Sequence, residues 1–219
     1  MQVLILYANP EPTSFCAALK EVAVAAITAA GHSVTVSDLY AEGFNPVAGR
    51  HDFTTTANPD RFHYQSEQAH AAANDGFAPD LKREQARFLE ADLILTIFPL
   101  WWSGPPAILK GWFDRVMAFG VAYVDGTRFA TGLFPAKRAL LCVTTGGTPQ
   151  RFSASDVYGP IETILMPLQQ LAFGYMAITA LPPFIAYAVP RVDEAQRAAY
   201  LDAWRIRVIE ALQATGPAS

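Results

Sequence analysis

The sequence is poor in charged residues and rich in apolar ones. Charged residues make up 16% of the 219 positions and hydrophobic residues 52%, whereas about 25% charged is usual for a soluble domain. Such hydrophobicity excludes a disordered chain. A formal net charge of −4, with no basic cluster, argues against nucleic acid as a partner. The excess apolar side chains must fill a core and cover some further surface.

Membrane and secretion signals are also missing. The uncharged segment from Thr163 to Pro190 is long enough to span a bilayer, but prolines interrupt it, so we expect a buried helix and strand and no membrane insertion. The first apolar run lacks the preceding Lys or Arg of a signal peptide. Cys16 and Cys142 stand at unrelated spacing, which favours free thiols in a reducing cytoplasm.

Several motifs of common enzyme classes are absent. The four histidines have no paired ligand spacing, so we expect no metal site. There is no G-x-S-x-G motif, which argues against a hydrolase. Neither G-x-G-x-x-G nor a P-loop is present, which excludes the standard nucleotide loops.

What the chain does contain is an alternation of apolar runs and helical periodicity. Five predicted strands alternate with five predicted helices, beginning with the run QVLILY. This pattern predicts an α/β fold with a doubly wound parallel sheet. We expect a single domain over residues 1–219, in which residues 38–79 form a long excursion between the second strand and the next helix.

Three loops follow the carboxyl ends of predicted strands, where such sheets bind ligands. In the first, Thr13 and Ser14 can bind an anion or simply cap a helix. In the second, Trp101 and Trp102 can stack on a flat ring or pack in the core. In the third, the glycine pair at 146–147 allows close approach to a ligand or merely ends a strand.

Taken together, these segments resemble the NAD(P)H:quinone oxidoreductase family of flavodoxin-like flavoproteins. The resemblance implies a five-stranded parallel sheet in the order 2-1-3-4-5, with helices on both faces. The matching motifs are PTSF at 12–15, SDLYA at 37–41, FNP at 44–46, FPL at 98–100 with Trp102, PAILKGWFDRV at 106–116, TTGG at 144–147, and Pro167 with Gln169.

The resemblance implies FAD, in preference to FMN, as the cofactor and NAD(P)H as co-substrate. The reaction it implies is a two-electron, ping-pong hydride transfer from NAD(P)H through FAD to a quinone or a related acceptor. The implied cofactor-binding residues are Asn9, Thr13, Ser14, Phe15, Cys16, His63, Pro99, Leu100, Trp101, Trp102, Ser103, Thr144, Thr145, Gly146, Gly147 and Arg197.

The resemblance also implies a homodimer with its sites at the interface. The partner chain would then supply a substrate wall made of Val121, Ala122 and Tyr123, in which Val121 replaces a common phenylalanine. The long C-terminal extension of some relatives has no counterpart after Ser219. The part of the pocket that this extension helps to cover is therefore expected to be open.

The implied catalytic positions are Gly147, Phe152 and Tyr158, and two of them depart from the family pattern. Phe152 stands where relatives carry a tyrosine and cannot donate a proton. Tyr158 stands where they carry a histidine, and a tyrosine hydroxyl is a much weaker acid than imidazolium. We therefore expect slower turnover or compensation by Tyr158 and the Gly147 N–H. Asn9 replaces a usual histidine and His63 a usual glutamine.

Alternative functions remain open at this point. Azo compounds or nitroaromatics could replace quinones as acceptors. A flavin-bearing regulatory subunit of a membrane transporter would fit the loss of the catalytic pair. A flavodoxin-type electron carrier is disfavoured, because the chain has neither a Ser/Thr- and Gly-rich phosphate loop nor a strongly acidic composition.

Overall fold

One parallel sheet organises residues 1–214, which are the residues that the computed structural model describes. Hydrogen-bonded neighbours follow the order β2-β1-β3-β4-β5, and β6 also pairs with β4. The strands are β1 Gln2–Tyr7, β2 Ser33–Asp38, β3 Leu93–Pro99, β4 Arg138–Thr144, β5 Thr179–Ala180 and β6 Phe184–Ala186. The predicted order 2-1-3-4-5 is confirmed, although two short strands occupy the fifth position. Pro182 and Pro183 separate them, because proline has no N–H for the ladder.

Within residues 1–214, six α-helices accompany the sheet, one more than the sequence predicts. The additional helix is α2, which lies within the excursion at 38–79. The buried helix expected in the uncharged segment begins as α5 and continues as a π-helix over Pro167–Phe173, since Pro167 cannot donate the backbone bond that the α pattern requires. The α-helices are α1 Phe15–Ala29, α2 Tyr64–Ala73, α3 Pro79–Glu90, α4 Ala107–Val116, α5 Ile161–Met166 and α6 Glu194–Gln213.

The helices cover both faces of the sheet, as predicted. Alternate side chains of β1 point to opposite faces, so Ile5 packs with α1 and α6 whereas Leu6 packs with α3, α4 and α5. Both residues are fully buried. Helices therefore cover both faces of the sheet, and a ligand can reach the sheet only at the ends of its strands.

A buried ionic cluster attaches the excursion to this frame. The Arg115 guanidinium on α4 lies 2.7 Å from Asp52 and 3.1 Å from Asp80. Asp52 is completely buried and also accepts a hydrogen bond from the Tyr64 hydroxyl. Burial, together with this bond to the Asp52 carboxylate, raises the pKa of Tyr64 far above its usual value. The cluster joins three chain segments that share no sequence periodicity.

Residues 215–219 lie outside this description, and so does the expectation about a C-terminal extension. Within residues 1–214, no helix is both long enough and apolar enough to cross a membrane. That the chain forms a single domain over 1–219 stays a prediction.

Candidate functional site

A cleft opens at the carboxyl ends of β1, β3 and β4, the edge that the doubly wound topology designates for ligands. It consists of two adjoining cavities of about 780 and 390 Å³, which share Leu100, Thr145 and Gly146. Strand β3 lies between the other two strands in the sheet. The loops after these strands therefore meet at one place, as the sequence analysis requires.

The first loop leads into the amino terminus of α1 and caps that helix. Ser14 caps the helix by accepting from Ala17 N at 3.2 Å, and the Thr13 hydroxyl donates to Glu11 at 2.6 Å. Both hydroxyls are thus engaged within the loop. The backbone N–H groups of Phe15 and Cys16 have no acceptor among the described residues, and helix dipoles favour anions at such positions. The anion-binding capacity predicted for this loop therefore resides in its backbone.

The Cys16 side chain lines the smaller cavity as a neutral thiol. Burial raises the pKa of this thiol, against a smaller opposing effect of the hydrogen bond with Thr144. Its Sγ lies 3.2 Å from the Thr144 hydroxyl oxygen. Cys16 therefore joins two of the site loops by packing and hydrogen bonding. We assign it no chemical role, because the thiolate is the reactive form of cysteine.

The second loop is a tight turn from Trp101 to Gly104. The two backbone bonds between these end residues are both 2.9 Å long, and the central residues Trp102 and Ser103 have φ angles of +48° and +59°. Two positive φ angles define a type I′ turn, a strained conformation for residues other than glycine. The N–H groups of Trp102 and Ser103 donate to no acceptor within residues 1–214. The turn thus displays an indole and two unsatisfied donors.

The third loop supplies a second pair of donors. Thr145 is fixed by its N–H bond to Ala186 O and by its hydroxyl bond to Gly147 O. The N–H groups of Gly146 and Gly147 have no acceptor in the described part of the chain. A Cβ built on Gly146 would meet no atom within 4 Å, so a ligand can approach the backbone there. The second and third loops can therefore offer backbone donors, beside the Trp102 indole, to the acceptor atoms of a planar ring such as a flavin.

Phe152 and Tyr158 form one wall of the larger cavity. Their ring centroids are 5.3 Å apart, and Phe152 also packs on Tyr187 at 5.9 Å. A Cβ on Gly147 would come within 2.8 Å of the Phe152 ring, so the glycine permits this packing. The wall offers one hydroxyl, that of Tyr158, whose side chain is half-exposed.

Three further lining residues were missed by the sequence analysis, namely Thr148, Arg151 and Arg191. Arg151 belongs to the third loop, so its position was a sufficient signal. Arg191 follows β6, and the rule that ligands bind at the carboxyl ends of parallel strands could have pointed to it. The segment after β6 joins the cleft because Val189 N and Ala188 N donate to the third loop.

Some predicted site residues do not line the cleft of their own chain. His63 caps α2 and lines a separate cavity of about 550 Å³ together with Tyr123. Tyr123 also lines a neighbouring cavity of about 370 Å³. Arg197 is placed on the first turns of α6, three residues before Tyr200, whose ring packs on Phe15. The contacts predicted for these residues with cofactor or substrate stay predictions.

Comparison with known proteins gives a consistent result. A family model described as "Flavodoxin-like fold" matches residues 1–208. Ribosyldihydronicotinamide dehydrogenase (quinone) of Homo sapiens is 41% identical over 208 residues, which cover 94% of this chain and 90% of the human protein. NAD(P)H dehydrogenase (quinone) 1 of Rattus norvegicus is 38% identical over 94% of this chain and 76% of its own length.

The chain belongs to the NAD(P)H dehydrogenase (quinone) family. The recognition made from the sequence motifs is thereby confirmed, as is the flavodoxin-like fold. A solved structure from Klebsiella pneumoniae, provisionally assigned as a quinone reductase, superposes with a TM-score of 0.94 at 37% identity, covering 99% of this chain and 86% of that one. Membership in this family makes the protein an oxidoreductase.

Proposed function

We propose that the protein is a flavin-dependent NAD(P)H:quinone oxidoreductase that uses FAD. The observation that carries this proposal is the set of four unsatisfied backbone N–H groups, at Trp102, Ser103, Gly146 and Gly147, which belong to loops lining a single cavity. Trp102, Ser103 and Gly146 are exposed and Gly147 is half-buried, so these N–H groups can exchange water for the acceptor atoms of a ligand. A flat heteroaromatic ring with acceptors along its edges supplies partners to both loops.

Each loop has a distinct task in holding this cofactor. The turn at 101–104 supports one face of the ring with the Trp102 indole, which stacks without needing a specific hydrogen bond. The N–H groups of Phe15 and Cys16 receive the pyrophosphate, which extends through the smaller cavity. Arg197, one turn before Tyr200 on α6, is assigned to the adenosine end. This extended path favours FAD over FMN.

When bound, the flavin would accept a hydride from NAD(P)H and deliver it to a quinone, with donor and acceptor occupying the same cavity in turn. The protein orients both partners against one face of the ring and places hydrogen-bond donors where negative charge develops. We assign this task to the Gly147 N–H and the Tyr158 hydroxyl, which line the larger cavity. Phe152 shields the ring from water and donates no proton.

A homodimer completes the substrate wall in this proposal. The cavities at Tyr123 share Phe113 and Met117 with each other and lie apart from the cleft. A second copy that covers this surface would bring its Val121, Ala122 and Tyr123 toward the first copy's cleft. A cytoplasmic location remains a prediction that rests on the two free cysteines.

One set of measurements on the purified holoprotein tests this function. The flavin is released by denaturation and identified by mass, after which anaerobic bleaching by NADH and NADPH and turnover on an uncharged quinone are recorded. We expect FAD, bleaching of one flavin per chain and sustained quinone turnover. A protein that bleaches but turns over only azo compounds or nitroaromatics would revise the acceptor.

The same measurements decide the alternative of a regulatory subunit. That role is supported by the missing acid at Phe152, and it predicts bound flavin with negligible turnover on every acceptor class. Size measurement in dilute solution is the companion experiment, since a monomer would leave the substrate wall incomplete and contradict the shared site.

A further inference from the structure

Two arginines give the larger cavity a charge opposite to that of the whole chain. Arg151 and Arg191 line it, together with apolar side chains, glycines and the uncharged polar groups of Ser103, Thr145, Thr148 and Tyr158. No carboxylate is among these lining residues, although the chain carries a formal net charge of −4. The cavity therefore concentrates positive potential at the place where substrates enter.

Arg191 is held with its charge directed at the cleft. Its backbone N–H donates to Ala188 O at 2.7 Å, and one guanidinium nitrogen donates to the Gly146 carbonyl. Because guanidinium has five N–H donors, this bond leaves most of them free. Within residues 1–214, no carboxylate lies within ion-pair distance of Arg191.

Arg151 has only a weak competing partner. Its side chain is 59% exposed, and the nearest carboxylate oxygen, on Asp156, is 3.5 Å away. Arg115 makes the contrast clear, since its guanidinium is 1% exposed and is matched by Asp52 and Asp80 at close range. Exposed pairs of the first kind contribute little to stability, so folding does not account for the placement of Arg151.

We propose that Arg151 and Arg191 select ring substrates that carry an anionic group. The ring lies against the wall of Phe152 and Tyr158, and the carboxylate, sulfonate or phosphate attached to it is bound by the guanidinium groups. Arginine suits this task because its planar fork matches such oxyanions with two parallel hydrogen bonds. This inference rests on the proposed function and specifies its substrate class.

The anion could belong to either partner in the reaction, to the acceptor or to the nicotinamide donor, whose pyrophosphate is also anionic. Both sources share the same chemistry, and kinetics with matched substrates separates them. Acceptors are compared as a naphthoquinone sulfonate against the uncharged naphthoquinone. Donors are compared as NADH against dihydronicotinamide riboside, which has no phosphate.

The variants are Arg151→Gln, Arg191→Gln and the double variant, with Arg205→Gln as the matched control. Arg205 is exposed on α6 and does not line the cleft. The Arg205→Gln variant therefore removes one positive charge at a distance from the proposed anion site. We expect kcat/KM for the sulfonated acceptor to fall about tenfold to a hundredfold in the double variant, the range for a lost charge-assisted hydrogen bond. For the uncharged quinone with the riboside donor, the change should stay within about twofold.

Equilibrium binding provides a readout that does not depend on turnover. Naphthalene sulfonate and an uncharged naphthalene are each titrated into the protein while tryptophan fluorescence is recorded. Trp101 and Trp102 report binding because they are exposed beside the cavity. We expect the sulfonate to bind more tightly to wild-type protein and to the Arg205→Gln control than to the double variant. In wild-type protein, the difference in affinity between the sulfonate and the uncharged naphthalene should also decrease as salt is added.

The outcomes separate this inference from the function on which it rests. Equal discrimination between charged and uncharged ligands in the double variant and the control would overturn it, even with full quinone turnover. A fall confined to NADH assigns the anion to the donor, and one confined to the sulfonate assigns it to the acceptor. Selective sulfonate binding without any turnover would support the anion site while the proposed enzyme activity fails.

Discussion

The four tryptophans fall into two pairs with opposite surroundings. Trp112 and Trp204 are fully buried, and their indole N–H groups donate to Glu84 at 2.8 Å and to Leu19 O at 2.9 Å. Trp101 and Trp102 are 45% and 103% exposed. The second pair stands on a strained turn beside unsatisfied backbone donors. A tryptophan that is buried and hydrogen-bonded stabilises the fold, whereas one that the backbone holds in solvent is typical of a ligand site.

The arginines repeat this contrast between core and cleft. Arg115 is enclosed by carboxylates below α4, whereas Arg191 faces the cavity with most of its donors free. For tryptophan and arginine alike, the residues in the core have their hydrogen-bond or ion-pair partners within the chain. Those at the cleft have fewer such partners. Substitutions in the two regions should therefore separate stability from ligand binding.

The largest effect is expected for Trp112→Ala. Removing a buried tryptophan costs about 3–5 kcal/mol of unfolding free energy, and Glu84, 1% exposed, would also lose its indole donor. Urea denaturation measures the loss. Trp112→Phe is the matched control, since it keeps a six-membered aromatic ring while removing the N–H donor and the five-membered ring. The comparison would break if Trp102→Ala destabilised the protein as much as Trp112→Ala.

Arg115→Met should follow closely. Leaving Asp52 buried without its cation costs about 3–5 kcal/mol of unfolding free energy, whereas the exposed Arg191→Met should change it by less than about 0.5 kcal/mol. Denaturation of both variants gives the two values. Adding Asp52→Asn to Arg115→Met should recover part of the loss, because the orphaned charge is then removed. No recovery would mean that the excursion is held by packing alone.

The sheet was predictable from the sequence because its signals are local. Continuous apolar runs marked the buried strands, and an uncharged run containing two adjacent prolines marked the fifth strand position, though not its division into β5 and β6. The excursion was not predictable in detail. Asp52, Asp80 and Arg115 are brought together by tertiary structure, and no periodicity announces a buried ionic cluster.

The candidate site was predictable to a similar extent. Loop positions at strand ends identified Trp102 and the glycine pair, since topology alone brings those ends together. Arg191 was missed because its place depends on backbone pairing of the segment after β6 with the third loop. The positive φ angles at Trp102 and Ser103 had no signal either, because neither residue type prefers that conformation.

Phe152→Tyr tests whether the cleft lacks a proton donor. A positioned acid typically contributes about 10²–10⁴-fold. With partial compensation by Tyr158 and the Gly147 N–H, as proposed above, we expect a smaller gain of at least about tenfold. Stopped-flow reduction of the bound flavin in a single turnover measures the step. Tyr158→Phe is the companion variant and should slow it. An unchanged rate in Phe152→Tyr would show that no acid is missing.

Ser103→Gly should have the smallest effect, and its sign sharpens the comparison. Relief of a left-handed backbone at a residue other than glycine gains about 1–2 kcal/mol, while the greater freedom of glycine in the unfolded chain offsets about 0.4–1 kcal/mol of it. A net rise of about 0.5 kcal/mol in unfolding free energy is therefore expected from urea denaturation. Ser155→Gly, on an exposed loop where the Ser155 hydroxyl lies 3.2 Å from that of Ser153, serves as the control for the greater freedom of glycine in the unfolded chain. A loss of stability in Ser103→Gly beyond that control would mean that the turn is unstrained. The contrast between core and cleft would then rest on the surroundings of the tryptophans and the arginines, without backbone strain.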